Sequence, residues 1–334
     1  MAFRRAGGLV VNMETSKKLR LTKTQIVSVV GTLLMVASLV FLGRRLFLDH
    51  AVADFDLSLL LTRSVIIGLI VVSIMEGIGI VMATFNYRAL VRNVSGVLVT
   101  KPLALVVYAI SNLYKYIPGG VMYVVGRNRL AVETEELSHS KVALATVLEG
   151  MIIAISAIII ILFTVLDHAV YYLRQVEWPP ALVIVLIAIV VLGGSALFSF
   201  RHKIKKGLKK LFDHMQVLSI PVLLKRCGFG LLIMALWGGT FLVTLMVLGQ
   251  PLEPGQGPTV IGLFLLSWLA GFLTPGAPSG LGIREVVLLM FMGDILNEEI
   301  LFAAMLMHRV VVAAGDIIAY GFGVGCRFLS RKFV

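Results

Sequence analysis

Charge is scarce in this chain. Only 14% of its 334 residues are Asp, Glu, Lys or Arg, against about 25% in soluble globular domains. Hydrophobic residues make up 59%, and the mean hydropathy is +0.98. A single core of this size cannot bury that much apolar side chain, which excludes a soluble enzyme and makes lipid the expected solvent. Acid is scarcer than base: 18 Asp and Glu stand against 30 Lys and Arg, for a net charge of +12. In so apolar a chain that excess marks cytoplasmic loops and not a nucleic-acid footprint. Cysteine is nearly absent. Cys227 and Cys326 show no CxxC spacing and no histidine at ligand spacing, which argues against a disulfide framework, a zinc site and a redox motif. No metal, no cofactor and no nucleic-acid partner is expected.

What the chain has in quantity is long apolar runs. A bilayer core needs about 20 apolar residues per helix. Runs of that length are 25–42, 65–85, 142–166, 181–200, 227–248 and 300–328. The first follows 24 mostly polar residues, and Gly43-Arg44-Arg45 after it is no small-residue cleavage site, so it is read as a retained span. Two other stretches are broken. Residues 102–116 stop at Pro118-Gly119-Gly120 and resume at 121–125. Residues 259–273 stop at Thr274-Pro275-Gly276-Ala277-Pro278-Ser279-Gly280 and resume at 281–292. Each half is read as too short to span, which is the pattern of re-entrant helical hairpins, placed at about 102–130 and 259–293.

The basic clusters support this parity. They lie at 4–23, at Arg88, Arg92 and Lys101, at Arg127 and Arg129, at 201–226, and at Arg327, Arg331 and Lys332. If both broken stretches leave on the side where they began, every cluster falls on one face and both termini are cytoplasmic. If 102–116 crossed alone, the most basic loop, 201–226, would lie outside. The expected fold is therefore an all-α integral membrane protein of about six full spans. Two oppositely oriented re-entrant hairpins sit among them, as in inverted-repeat transporters. One membrane domain, 25–328, is expected between a basic cytoplasmic segment, 1–24, and a cytoplasmic tail, 329–334. The loop 201–226 reads as a basic amphipathic surface helix on anionic headgroups.

Charges inside the apolar runs are costly and mark partners or tasks. The candidates are Glu76, Lys115, Glu149, Arg284, Glu285, Arg309 and Asp316. Glu76 is flanked by Ser73, Gly77 and Gly79, which permit close backbone approach. Glu76 and Glu149 either pair with arginines and join helices or meet substrate; both readings stay open. Arg284 stands in the first turn of a half-helix whose free N–H groups and dipole favour an anion, and a guanidinium there can hold a phosphate by two parallel bonds. Glu285 cannot face the same way and is expected to accept a backbone N–H or to pair with Arg309. Arg309 and Asp316 are seven apart and share a face. Lys115 with Gly119, Gly120 and Arg127 forms a comparable cationic site, unless Lys115 and Arg127 snorkel to the headgroups. His308 reads as an interhelical hydrogen-bonder or a proton relay, and the other histidines as loop or interface residues. Gly321 to Gly325 reads as small-residue helix packing.

At these residues the chain resembles a known family. Lys115-Tyr116-Ile117-Pro118-Gly119-Gly120-Val121, then Gly126-Arg127, is similar to the "KYIPGxxW…GR" segment of the lysylphosphatidylglycerol synthase transmembrane-region family, the flippase half of the bacterial multiple peptide resistance factor. Pro278-Ser279-Gly280-Leu281-Gly282-Ile283-Arg284-Glu285 resembles that family's "PGGLGxRE" segment. Arg309 matches the arginine of its last helix, and Glu149 the glutamate of its "ER" pair. The resemblance covers about residues 100–325. It departs at Tyr123 or Val124, where a tryptophan is usual, at Gly150, where the pair's arginine is usual, and at Ser279, where a glycine is usual. The soluble aminoacyl-transfer domain is not present, so the resemblance implies a stand-alone membrane domain.

The expectation is a non-enzymatic flippase for an anionic or aminoacylated phospholipid, or a related lipid-linked headgroup, in a bacterial cytoplasmic membrane. Its phosphate would sit on Arg284, near Gly119-Gly120 and Gly280-Leu281, with Gly282, Tyr116 and Pro118 in the same motifs. A separately encoded lipid-modifying synthase and a homo-oligomer are compatible with it. Two alternatives stand beside it. Asp54-Phe55-Asp56 is a DxD-like pair that a polyprenyl-phosphate-dependent glycosyltransferase could use. Glu76 or Asp316 could couple protons to the transport of a small anionic solute.

Overall fold

The computed structural model describes residue 40 and residues 57–116, 122–135, 137–175, 219–274, 278–293 and 295–332. The expected spans 25–42, residue 40 apart, and 181–200, residues 201–218 of the basic loop 201–226, the Asp54–Asp56 pair, and Pro118, Gly119 and Gly120 lie outside them; residues 220–226 of that loop are instead the start of a long helix. Among the described residues the chain is all helical. The helices are α1 (Arg63–Ser95), α2 (Lys101–Leu113), α3 (Met122–Glu135), α4 (His139–Gln175), α5 (Ile220–Val247), α6 (Gln256–Leu273), α7 (Ile283–Met292) and α8 (Glu298–Lys332). Short 3₁₀ turns occupy Leu57–Leu61, Tyr114–Tyr116 and Pro278–Gly280.

Five helices, α1, α4, α5, α6 and α8, are long and apolar enough to cross a membrane. Four of them contain the runs expected at 65–85, 142–166, 227–248 and 300–328, apart from the last residue of the third. The fifth departs from expectation. The stretch read as a half-helix at 259–273 begins at Gln256, and its 18 residues give it spanning length. The polar Gln256 and Pro258 hid that first turn from a hydropathy reading. The segment after the first break also runs further than 121–125. It is the 14-residue α3, which carries Arg127, Arg129 and Glu133. The helices α2 and α7, at 13 and 10 residues, are about 20 and 15 Å long, short of a hydrocarbon core about 30 Å thick.

Local chemistry sets the ends. Gly96 closes α1 in the left-handed conformation (φ 77°) and donates its N–H to the Arg92 carbonyl at 2.9 Å. Proline opens α2 at Pro102 and α5 at Pro221, where a missing N–H is harmless.

Packing inverts the soluble pattern. The outward face of α1 carries Ile66, Ile67, Ile70, Val71, Ile74 and Ile78, all exposed. Its buried face carries Ser73, Glu76, Gly77, Thr84 and Asn86. On α8, Leu306, Val310, Ile317 and Phe322 face out while His308 and Asp316 are buried. Polar groups inside and aliphatic ones outside suit a lipid solvent. Helix α1 is central and touches α2, α4, α5 and α8. Glycine sets its closest crossing: a Cβ on Gly315 of α8 would lie 2.5 Å from the Glu76 Cβ and 3.1 Å from the Gly77 nitrogen. Helices α2 and α3 pack on each other, as do α6 and α7, and the turns at Tyr114–Tyr116 and Pro278–Gly280 touch.

Candidate functional site

The α1/α8 crossing delivers Glu76 to the interior opposite α5. The Thr240 hydroxyl donates to Glu76 Oε1 at 2.5 Å. His308 Nε2 stands 3.8 Å from the same oxygen and has no hydrogen-bond partner among the described residues. His308 Nδ1 is 3.4 Å from the Thr244 hydroxyl, and the ring stands edge-on to Phe241 and Phe264.

At the first break, Tyr108, Ser111, Asn112 and Lys115 recur at helical spacing along α2 and the turn after it. Lys115 Nζ reaches both Asp316 oxygens, at 2.9 and 2.7 Å. Asn112 Nδ2 and the Tyr116 hydroxyl each donate to Asp316 at 2.6 Å. The Asp316 side chain is thus sealed by three donors from the first break. Beside it, Arg127 is 2% exposed, so it does not snorkel to headgroups. Its Nη1 pairs with Glu149 Oε2, its Nε donates to the Ser111 hydroxyl at 3.0 Å, and its guanidinium lies 3.9 Å from the Tyr108 ring centroid. The Tyr108 hydroxyl donates to Glu149 Oε1 at 2.7 Å. The partner that Glu149 lacks at Gly150 is therefore Arg127, carried in from α3. Gly126 allows this approach, because a Cβ there would fall 1.9 Å from the Tyr114 ring.

At the second break, Ser279, Gly280 and Gly282 all take positive φ, at 52°, 69° and 85°. Glu285 does both things expected of it. Its Oε2 accepts the Gly282 N–H at 2.8 Å, and its Oε1 accepts Arg309 Nε and Nη2 at 2.8 and 2.5 Å. Arg309 Nη1 also donates to the Ser279 carbonyl at 3.1 Å. Arg284 points elsewhere. It lies across the contact of Gly271 with Gly280, where a Cβ on Gly280 would come within 2.9 Å of its Nε. That Nε is buried, and Arg284 has no hydrogen-bond or ion-pair partner among the described residues.

Two cavities meet at Arg284. The larger, about 350 Å³, is lined by Glu76, Lys115, Arg127, Glu149, Gly280, Arg284 and His308, with Tyr108, Asn112, Trp237 and Trp268. The smaller, about 220 Å³, is lined by Tyr116, Arg284, Glu285, His308 and Arg309 with Leu281, Leu288 and Met305. Arg284, His308, Phe264, Ser279 and Val312 belong to both walls. The larger cavity also reaches Tyr123, Val124, Gly150, Phe272 and Leu273. Leu273 is 67% exposed, so this side opens at an apolar rim.

Of the eleven candidates that fall among the described residues, nine line the two adjoining spaces. Asp316 stands behind Lys115, and Gly282 caps α7. Sequence reading missed Tyr108, Asn112, Trp237, Thr240 and Gly271. The stripe of Tyr108, Asn112 and Lys115 was available as a signal. Trp237 and Thr240 gave none, because their role depends on α5 lying against Glu76. Among the described residues no group of three or more His, Cys, Asp or Glu is placed to hold a metal. Compared with known protein families and with curated proteins, the sequence finds no match.

Proposed function

We propose that the chain is a lipid flippase that carries an anionic or aminoacylated phospholipid headgroup, or a related lipid-linked one, past Arg284. The observation that carries this reading is Arg284 itself: a guanidinium unpaired among the described residues, at the start of α7, in the wall shared by two cavities. A buried cation without an acceptor favours an anion, and helix N–H groups and the helix dipole add to the attraction. Lys115, Arg127 and Arg309 are already neutralised by Asp316, Glu149 and Glu285. The apolar rim at Phe272 and Leu273 suits acyl tails that stay in the bilayer while the headgroup enters.

In this reading α2/α3 enter and leave on the cytoplasmic side and α6/α7 on the other, the 18-residue α6 reaching most of the way across, and the two breaks, whose turns touch, lie inside the membrane. The positive-inside rule then puts both termini in the cytoplasm of a bacterial cell. The larger cavity belongs to the cytoplasmic half and the smaller to the outer half, and opposed movement of the hairpins passes the headgroup between them. The resemblance of the Lys115–Val121 and Pro278–Glu285 motifs to the lysylphosphatidylglycerol synthase transmembrane region points the same way. No covalent chemistry is needed.

The test is reconstitution into liposomes with an acyl-labelled phosphatidylglycerol and a leaflet-selective quencher. A charge-assisted hydrogen bond is worth about 1.5–3 kcal/mol, so Arg284→Ala should slow translocation by about 10- to 150-fold. An unchanged rate removes Arg284 from the mechanism, and transport of no lipid removes the function. A cavity of about 350 Å³ also fits a small anionic solute; glycerol phosphate competing as well as intact lipid would favour that second reading.

A further inference from the structure

Of the four acids around the two cavities, three are held by a full cation: Glu149 by Arg127, Asp316 by Lys115, and Glu285 by Arg309. Glu76 is the exception among the described residues. Its Oε1 accepts the Thr240 hydroxyl and faces a histidine, and no hydrogen bond reaches its Oε2 from the described residues. The pairs cancel, so among the described residues the larger cavity is left with one acid without a full cation, Glu76, and one unpaired base, Arg284. An anion bound at Arg284 neutralises the base and leaves the Glu76 carboxylate as the one uncompensated charge in a space of low dielectric. Uptake of a proton removes that charge.

We propose that Glu76, with His308 beside it, is a proton-binding site, and that a proton enters the larger cavity with each anionic headgroup held at Arg284. This rests on the flippase reading and adds an energy source to it. The proton comes from water in the larger cavity and binds the Glu76 carboxylate. His308 Nε2 is 3.8 Å away and has no hydrogen-bond partner among the described residues, and His308 lines both cavities, so it can pass the proton toward the smaller one. The other charged and titratable groups facing this pair are Lys115 and Tyr116 from the first break, Arg284 from α7, and Arg309 and Asp316 from α8. Tyr108, Arg127 and Glu149 face the same cavity from α2, α3 and α4. The acids among them other than Glu76 already hold cations.

The experiment has two readouts on the full-length chain. In detergent and weak buffer, a pH indicator follows proton uptake as dihexanoyl phosphatidylglycerol binds. Uptake of up to one proton per lipid is expected, lost in Glu76→Gln and kept in Glu76→Asp. Thr240→Val, which removes the hydroxyl on Glu76 and leaves the carboxyl, should move the pH midpoint of uptake. In liposomes, acid on the side that the labelled phosphatidylglycerol leaves should speed translocation several-fold. The gradient should have no effect on Glu76→Gln, whatever rate remains, and His308→Gln should take up the proton yet lose the gradient effect. Binding and translocation with no proton uptake would overturn the proton site and leave the flippase reading intact, as would uptake persisting in Glu76→Gln. An unmoved midpoint in Thr240→Val places the proton elsewhere, and absence of lipid binding sinks the flippase reading beneath it.

Discussion

Replacing Arg127 by methionine keeps most of the apolar stem and removes the guanidinium. Glu149 then keeps only the Tyr108 hydroxyl. Breaking a buried ion pair from one side costs about 3–5 kcal/mol. The chain has one escape: the stranded carboxyl can take up a proton. Against a reference carboxyl near 4.3 at pH 7, that route costs about 4 kcal/mol, which caps the loss from the pair. Loss of the stacking on Tyr108, at 3.9 Å, adds about 1 kcal/mol. Arg127→Met is therefore expected to destabilise by about 4–5 kcal/mol at pH 7, and by clearly less at pH 5, where the escape is easier. Glu149→Gln should lose about 3 kcal/mol by leaving Arg127 buried and unpaired. The double variant removes both charges and should fall short of the sum of the singles by about 2 kcal/mol or more. Equilibrium unfolding by SDS in mixed micelles, at both pH values, measures all three. A single Arg127→Met variant within about 1 kcal/mol of the parent would refute the reasoning, and so would an additive double. Either result would mean that Arg127 and Glu149 are not a strut and are free to meet substrate.

Two further outcomes follow from the breaks. Asp316→Ala strands the Lys115, Asn112 and Tyr116 donors; Lys115 is partly exposed and can turn toward water, so the expected loss is about 2 kcal/mol, with amide exchange at residues 114–116 at least about tenfold faster. Protection unchanged there would show that Asp316 does not hold the first break. Ser279 stands at φ 52°, which costs an L-residue about 1–2 kcal/mol, and its hydroxyl is 3.5 Å from Arg309. After the larger chain entropy of glycine, Ser279→Gly should gain about 0.5–1 kcal/mol in the same SDS titration; a loss would assign the hydroxyl a role in the site.

Much of the frame was legible in the sequence because hydropathy and charge are local quantities. Residues 65–85 and 300–328 had to be helices, since each run is long enough to cross lipid and only an intra-segment ladder satisfies its backbone. The ends of α2 at Leu113 and of α6 at Leu273 were legible from the Pro/Gly-rich stretches that follow them in the sequence. The start of α6 was not, because its first turn contains Gln256 and Pro258, which hydropathy scores as loop. The functional candidates were legible as a list, since any charge in an apolar run stands out. Their partners were not.

By itself, then, the sequence pointed to lipid as the solvent and determined most of the helices and which side chains had to be answered for. Only the tertiary structure decided the pairing. Arg127 reaches Glu149 because Gly126 lets α3 close on Tyr114, and Asp316 takes Lys115 because α8 packs on α2, with Gly323 against the Leu105 backbone. Ion pairs act through space over a few ångströms, and those ångströms join residues 22 and 201 positions apart. What the pairing leaves over, Arg284 and Glu76 across one cavity, could not be found by listing charges. It emerged only when every other intramembrane charge around the cavities had been given its partner.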